Sequence, residues 1–251
     1  MAGEGRVAVV TGSSAGIGFS IAQRLAADGF RVAVISSSEG TAEQAAAEIV
    51  ESGGEARGYR ADVADRAQVD AALQAARADL GPLSVLVANA AVAPQQPFLD
   101  MTQEQWDRTV AINLTGTFHT VQSGLPDLVD AGWGRVVLIS SSSAQRGAPR
   151  MAHYAASKGG QLALTKALAV EFASSGVTVN TVVPSSIDTP SVQKKRAAGT
   201  IPSAEDMAKY IPVGRVGTGE DIAAAVSYLV SDEASYVTGQ TISVNGGSFI
   251  G

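Results

Sequence analysis

The chain has 251 residues, 45% of them hydrophobic and 17% charged, so it can bury a sizeable core and is not intrinsically disordered. Its formal net charge of −6 disfavours nucleic acid as a partner, because binding phosphates requires clustered Lys and Arg. The absence of cysteine excludes disulfides and thiolate metal sites, and without a signal-peptide pattern or about 18 consecutive apolar residues we expect a cytoplasmic protein with no membrane partner.

Short runs rich in Val and Ile alternate with longer Ala-rich segments of helical period, which is typical of βα units around a parallel sheet. The runs are nearly continuous in apolar residues, so helices are expected to cover both faces of the sheet. We therefore predict one α/β domain over residues 1–251, a Rossmann-type doubly wound parallel sheet of about seven strands. The predicted strands are 7–10, 31–35, 56–60, 85–88, 136–140, 178–183 and 241–244.

The first predicted strand runs into Thr11-Gly12-Ser13-Ser14-Ala15-Gly16-Ile17-Gly18, which is followed by a helical pattern. Glycines at such a turn let the backbone approach a pyrophosphate, and the following helix contributes free amides and the positive end of its dipole. The turn therefore predicts a dinucleotide-binding site.

The same turn contains Gly-x-Ser-x-Gly, the nucleophile motif of α/β-hydrolases, with Ser14 as the candidate nucleophile. In hydrolases an earlier strand contributes to the oxyanion hole, and only eleven residues precede Gly12. The chain has two histidines, and we interpret both His119 and His153 as packing or surface residues. Hydrolysis at Ser14 is the second hypothesis, and the chain order and the histidines disfavour it.

Tyr154 and Lys158 lie four residues apart at the start of a predicted helix, so they share one helix face. A tyrosine can donate a proton to the oxygen that becomes negative when a ketone accepts hydride. The phenol's usual pKa of about 10 is too high for exchange near neutrality. A nearby ammonium stabilises phenolate, so we expect Lys158 to lower the pKa of Tyr154.

The segment 185–219 breaks the βα rhythm, because Pro184 just before it and three prolines within it, Pro190, Pro202 and Pro212, punctuate a polar and charged stretch. An insertion after the carboxyl end of a strand lies where open α/β sheets bind ligands, so one interpretation is a substrate lid. The other is a mobile surface loop.

Several further motifs occur in a fixed order along the chain. Asp62-Val63 follows the third predicted strand and Asn89-Ala90 the fourth. Asn113 comes next, Ser141 precedes Tyr154 by thirteen residues, and Pro184 and Thr189 follow the sixth strand. Together with the glycine turn and the Tyr-Lys pair, these motifs resemble the short-chain dehydrogenase/reductase family, in its 3-oxoacyl-ACP reductase-like branch, over essentially the whole chain.

The resemblance implies an NAD(P)-dependent oxidoreductase that interconverts a ketone and a secondary alcohol. It implies that Tyr154 acts as acid or base, Ser141 binds the substrate oxygen, Lys158 also holds the nicotinamide ribose, and Asn113 supports a water relay. A non-catalytic nucleotide-binding protein is the third hypothesis, which the complete set of four residues disfavours. The implied cofactor contacts are Gly12, Ser14, Gly16, Ile17, Gly18, Ser36, Ser37, Asp62, Val63, Asn89, Ala90, Tyr154, Lys158, Pro184, Ile187 and Thr189.

Two positions depart from the family pattern, since Ala91 and Ser185 replace glycines expected beside the cofactor. An added side chain there would narrow the space or shift the loop. Three other serines flank Ser141, and Ser142 is the next candidate if the loop is displaced by one residue.

NADP is expected to be modestly preferred over NAD. Dinucleotide folds often place a carboxylate at the end of the second strand, which repels a 2′-phosphate, whereas this chain has Ser36. The arginine common in phosphate-binding relatives is replaced by Ser37, and Ala15 adds no charge. The rival interpretation makes Glu39 the ribose acceptor, which would favour NAD.

The resemblance also implies a homo-oligomer, most often a tetramer, paired through the two long helices predicted at 103–129 and 154–172. A small-molecule carbonyl or alcohol is the expected substrate.

Overall fold

The computed structural model describes residues 3–250, which are organised around one parallel sheet in the order β3-β2-β1-β4-β5-β6-β7. Every predicted strand is present, and no observed end differs from its predicted position by more than two residues. The strands are β1 (Val7–Thr11), β2 (Arg31–Ser36), β3 (Glu55–Arg60), β4 (Leu83–Ala88), β5 (Gly134–Ile139), β6 (Val177–Pro184) and β7 (Thr241–Val244).

Helices cover both faces of the sheet, as the apolar runs predict. All residues of β1, β5 and β6 are buried. One apolar cluster joins the sheet to α1, α2 and α10, and the other joins it to α3, α5 and α7. These helices are α1 (Gly16–Ala27), α2 (Thr41–Glu51), α3 (Arg66–Leu80), α4 (Gln103–Val110), α5 (Gly116–Asp130), α6 (Ser143–Arg146), α7 (Ala152–Phe172), α8 (Pro190–Ala197), α9 (Ala204–Ala208) and α10 (Gly219–Val230).

The strand order reverses at β1, which pairs with β2 on one side and β4 on the other. In open parallel sheets a crevice forms at the carboxyl ends of the strands flanking such a reversal. Here those ends carry the glycine turn after β1 and the Asn89-Ala90 segment after β4. The fold therefore brings the two motifs together.

The helix predicted at 103–129 is interrupted, which corrects the expectation of one regular helix. Between α4 and α5 the residues Ala111–Thr115 form a π turn that contains Asn113. A π turn inserts a residue into the helical ladder and often marks a functional site. The second predicted helix is continuous and begins at Ala152, two residues earlier than expected.

The segment 185–219 is folded, and it contains α8 and α9. The hydroxyl of Thr189 accepts a hydrogen bond from an α8 amide, and Ser203 does the same for α9. At its base, Ile187 and Gly217 form a parallel bridge. The segment is thus a closed loop with its own helices. No helix among residues 3–250 has the length and hydrophobicity needed to cross a bilayer.

Candidate active site

A cleft of about 810 Å³ lies at the carboxyl ends of the strands. Its volume falls within the range typical of ligand and cofactor pockets. Every residue that the family resemblance assigns to the cofactor lines this cleft. They are Gly12, Ser14, Gly16, Ile17, Gly18, Ser36, Ser37, Asp62, Val63, Asn89, Ala90, Tyr154, Lys158, Pro184, Ile187 and Thr189.

The glycine turn requires its glycines for close packing and for backbone conformation. Gly12 and Gly16 have φ values of 63° and 58°, in the left-handed region that favours glycine. A Cβ at Gly18 would collide with the carbonyl oxygen of Gly12 and would lie 2.5 Å from the Asn89 amide nitrogen. That amide donates to the carbonyls of Thr11 and Gly12 at 3.0 Å each. No side chain caps the start of α1, so its backbone amides are available to a pyrophosphate. The cradle fits a dinucleotide.

Serines form the wall of the cleft beyond the glycine turn. The Ser36 hydroxyl lies 3.1 Å from that of Ser14 and 2.8 Å from that of Thr41. Ser37 and Ser38 also line the cleft, whereas Glu39 does not. This placement favours the interpretation in which Ser36 is the selecting residue over the rival one based on Glu39.

The hydrolase hypothesis is not supported by the surroundings of Ser14. Its hydroxyl is paired with Ser36, and neither histidine is its partner. His119 Nδ1 is 2.9 Å from the carbonyl of Val63. His153 is fully buried, and neither ring nitrogen has a hydrogen-bond partner among the described residues. No nucleophile-base pair is therefore present at Ser14.

Tyr154 lies in the first turn of α7 and lines the cleft beside Ser141. Burial raises the pKa of the Tyr154 phenol, and a hydrogen bond with Ser141 opposes that shift. The neighbouring serines have structural partners instead. Ser140 donates to the carbonyl of Lys158 at 2.9 Å, and Ser142 donates to Ser185 at 3.4 Å. Ser141 is thus the serine of this group that meets the tyrosine.

Lys158 is buried beneath the cleft. Its Nζ donates to the carbonyl of Ile139 at 2.6 Å and to Gln161 Oε1 at 3.3 Å. Burial lowers the pKa of Lys158 to about 7, because desolvation penalises the ammonium. The expectation that Lys158 lowers the pKa of Tyr154 is wrong for this arrangement, since the ammonium is directed towards Ile139 and Gln161.

Asn113 is fully buried and does not line the cleft. Its amide nitrogen donates to the carbonyl of Val92 at 3.0 Å and to Ser157 at 3.1 Å. Its side-chain oxygen accepts from the Val92 amide at 2.8 Å. Asn113 therefore joins the loop after β4 to α7, while its backbone carbonyl accepts from Thr117 and Gln161.

The two replacements of family glycines are accommodated without backbone strain. Among residues 3–250 the one non-glycine with positive φ is Arg150, so neither Ala91 nor Ser185 needs the left-handed conformation. Both line the cleft, so each replacement adds a side chain to its wall.

Two residues at the site were not found from the sequence. Gln161 follows Lys158 by three residues, a helical spacing that signals proximity without showing the hydrogen bond. Arg60 pairs in register with Ser36 across the sheet, and its Nε donates to the carbonyl of Ser37 at 3.4 Å. Only knowledge of the pairing of β2 with β3 reveals that second contact.

The fold and the cleft define a Rossmann-type oxidoreductase with a tyrosine-serine pair at a dinucleotide cradle. The family model described as enoyl-(acyl carrier protein) reductase matches residues 12–248. The chain belongs to the short-chain dehydrogenase/reductase family, in its 3-oxoacyl-ACP reductase-like branch. It is an NAD(P)-dependent enzyme that interconverts a ketone and a secondary alcohol.

Relatives and solved structures agree with this assignment over nearly the full length. Acetoacetyl-CoA reductase of Rhizobium meliloti (strain 1021) is 41% identical over 97% of this chain and 98% of its own. A 3-oxoacyl-[acyl-carrier-protein] reductase of Staphylococcus aureus (strain N315) is 39% identical, with the same coverages. A variant of actinorhodin polyketide ketoreductase solved with NADPH superposes with a TM-score of 0.92, at 34% identity and 97% coverage of both chains. Gluconate 5-dehydrogenase of Burkholderia cenocepacia J2315, solved with NADP and tartrate, gives 0.90 at 30% identity, covering 98% of this chain and 95% of its own.

Proposed function

We propose that this enzyme reduces a ketone with NADPH and that Tyr154 donates the proton to the substrate oxygen. The observation that carries the proposal is that Tyr154 and Ser141 line the same cleft together, at the edge of the cofactor cradle. This arrangement places a proton donor and a second hydroxyl where one carbonyl oxygen can meet both.

The side chains have separate tasks in this proposal. The bound nicotinamide would supply the hydride. Ser141 orients the carbonyl oxygen, and Tyr154 gives up its proton as negative charge develops there. The Lys158 ammonium, which lines the cleft, holds the nicotinamide ribose. Asn113 holds the loop after β4 through its side chain, and its backbone carbonyl accepts a hydrogen bond from Gln161.

The preference for NADP rests on the polar wall formed by Ser36, Ser37 and Ser38. Their hydroxyls can donate hydrogen bonds to a 2′-phosphate, and none of them repels it. The Arg60 guanidinium lies beside the same loop, because its Nε donates a hydrogen bond to the carbonyl of Ser37. A cation near this wall compensates for the arginine that Ser37 replaces.

We infer that the substrate class is a 3-oxoacyl thioester. Two relatives at 39–41% identity carry names that state such a substrate. The segment 185–219, acting as the lid, lines the cleft with apolar groups that suit an acyl chain, among them Val192, Ile201 and Met207.

We further propose a cytoplasmic homotetramer. Between α5 and α7 lies a groove lined mostly by apolar and small residues, including Leu114, Phe118 and Gly160. Phe118 is 42% exposed, and a Cβ at Gly160 would lie 2.8 Å from Leu114. Close approach of helices across this face would bury that surface. A monomeric mass in light scattering at micromolar concentration would contradict this assembly.

Turnover of a chemically varied panel tests the proposal. We expect NADPH oxidation with acetoacetyl-CoA and other 3-oxoacyl thioesters to exceed that with a steroid ketone or a sugar. Highest efficiency on the sugar would contradict the substrate class, and ester hydrolysis without NADPH oxidation would contradict the reaction.

A further inference from the structure

Gln161 connects the buried Lys158 to the π turn. It lies one helical turn after the lysine on α7 and is fully buried. Its Oε1 accepts from Lys158 Nζ at 3.3 Å, while its Nε2 donates to the carbonyl of Asn113 at 2.9 Å and to Thr117 Oγ1 at 2.7 Å. One amide thus links the ammonium directly to the backbone of another site residue.

The orientation of this amide is determined by its neighbours. A carbonyl oxygen can only accept, so the NH2 group must face Asn113. An ammonium can only donate, so the amide oxygen must face Lys158. Rotating the amide by 180° would place donor against donor and acceptor against acceptor. Gln161 therefore presents a fixed acceptor to the lysine.

Few groups around Lys158 can stabilise its charge. The Ile139 carbonyl from β5 and Gln161 accept its hydrogen bonds, and Tyr154 lies one turn earlier on the same helix. Asn113 and Thr117, from the α4–α5 side, are uncharged. Burial is the sole cause of the lowered pKa of Lys158, with no charged side chain of residues 3–250 contributing. The loss of one acceptor would therefore not be masked by an ion pair.

We propose that Gln161 is a positioning residue that holds the Lys158 ammonium in its protonated form and fixes it against the π turn. This inference rests on the proposed function, in which protonated Lys158 holds the nicotinamide ribose. Because an accepted hydrogen bond favours the charged form, Gln161 keeps Lys158 protonated to higher pH than burial alone would allow.

The test compares Gln161→Leu and Gln161→Glu with Thr165→Val. Thr165 is fully buried one turn later on α7 and bonds the backbone carbonyl of Gln161 and the hydroxyl of Thr181, with no hydrogen bond to Lys158 or to the Gln161 side chain. For each variant, kcat/KM with NADPH and acetoacetyl-CoA and the Kd for NADPH, from its fluorescence, are measured over a pH range of about 6 to 9.

We expect the two Gln161 variants to move the pH midpoints in opposite directions. Leucine removes the acceptor, so loss of activity and of NADPH affinity should begin about one pH unit lower. Glutamate adds a negative charge, so the same losses should begin at higher pH. Thr165→Val should leave both midpoints at the wild-type values.

Reduced thermal stability with unmoved midpoints in both Gln161 variants would show a purely structural role and overturn the proposal. If Gln161→Leu does not fold, the upward shift in Gln161→Glu decides the question alone. Failure of the wild type to reduce any carbonyl would contradict the proposed function, whereas the NADPH affinity still tests Gln161.

Discussion

The two ends of the cleft are built differently. We call the end at Tyr154, where the reaction is proposed to occur, the catalytic end, and the end at Ser36, where the ribose phosphate is proposed to bind, the adenosine end. At the catalytic end, Lys158, Gln161 and Asn113 are fully or almost fully buried, and each makes at least two hydrogen bonds within the protein. At the adenosine end, Ser37 and Ser38 are exposed. Buried polar groups lose much when one partner is removed, whereas exposed groups are compensated by water. Substitutions at the catalytic end should therefore reduce activity or stability strongly, whereas substitutions at the adenosine end should have small effects.

Tyr154→Phe gives the largest expected effect at the catalytic end. It removes the proton donor but keeps the aromatic ring, so kcat should fall by about 10²- to 10⁴-fold while NADPH affinity stays near the wild-type value. Steady-state kinetics together with a fluorescence titration of NADPH check this. Retention of most of the wild-type rate would contradict the assignment of Tyr154.

Lys158→Met should lose both turnover and cofactor affinity, because in the proposed mechanism the ammonium holds the nicotinamide ribose and so places the hydride donor. Methionine retains much of the aliphatic stem, so packing should change less than with alanine. Isothermal titration with NADPH gives the affinity. Normal binding by this variant would show that Lys158 does not hold the ribose.

The same buried lysine should also make stability depend on pH. Its pKa is about 7 in the folded protein, below the usual 10.5, so between these values the unfolded chain binds more protons. The free energy of unfolding should therefore rise with pH across this window, from a minimum contribution below about pH 7. Urea unfolding at pH values of about 7 and 9 measures the rise in the wild type and in Lys158→Met. An equal rise in both proteins would contradict the assignment to Lys158.

Ser36→Asp tests the adenosine end with a smaller effect. A carboxylate there repels a 2′-phosphate and can accept from ribose hydroxyls, so the ratio of kcat/KM for NADPH over NADH should fall by about tenfold or more. The kcat with the better cofactor should change little. An unchanged ratio would indicate that Glu39 or another loop group selects the cofactor.

Arg60→Ala should have the smallest effect, because exposed charge pairs contribute only about 0.2–1 kcal/mol, a factor below about fivefold. The matched control is Arg57→Ala on the same strand, whose arginine pairs with Asp79 at 3.2 Å. Binding of 2′,5′-ADP against 5′-AMP isolates the phosphate contribution. Equal losses of 2′,5′-ADP affinity in the two variants would show a general charge effect and no specific role for Arg60.

Hydrophobic patterning was sufficient to predict the sheet. A fully buried strand of a parallel sheet is a short apolar run, so the run predicted at 136–140 coincides within two residues with the observed β5 (Gly134–Ile139). Most residues that the resemblance assigns to the cofactor follow strand ends, Tyr154 and Lys158 on α7 being the exceptions, and the carboxyl ends of parallel strands meet at one edge of the sheet. Their common cleft was therefore predictable once the strands were known.

The π turn and the direction of Lys158 were not predictable in the same way. The residues 111–115 keep an apolar pattern compatible with an ordinary helix, so nothing in the sequence marks the extra residue. The orientation of a lysine head group depends on which acceptors the fold brings near it. Here the carbonyl of Ile139 comes from a strand nineteen residues earlier in the chain.

The closed base of the segment 185–219 has an evolutionary consequence. Asp188 donates its amide to the Gly217 carbonyl at 2.8 Å, and Gly217 donates to the Ser186 carbonyl at 3.0 Å. These bonds fasten both ends of the segment next to β6, whatever lies between them. Insertions and deletions between 188 and 217 can therefore accumulate without moving β6 or α7. A lineage can in this way acquire new substrates while inheriting its hydride-transfer chemistry unchanged.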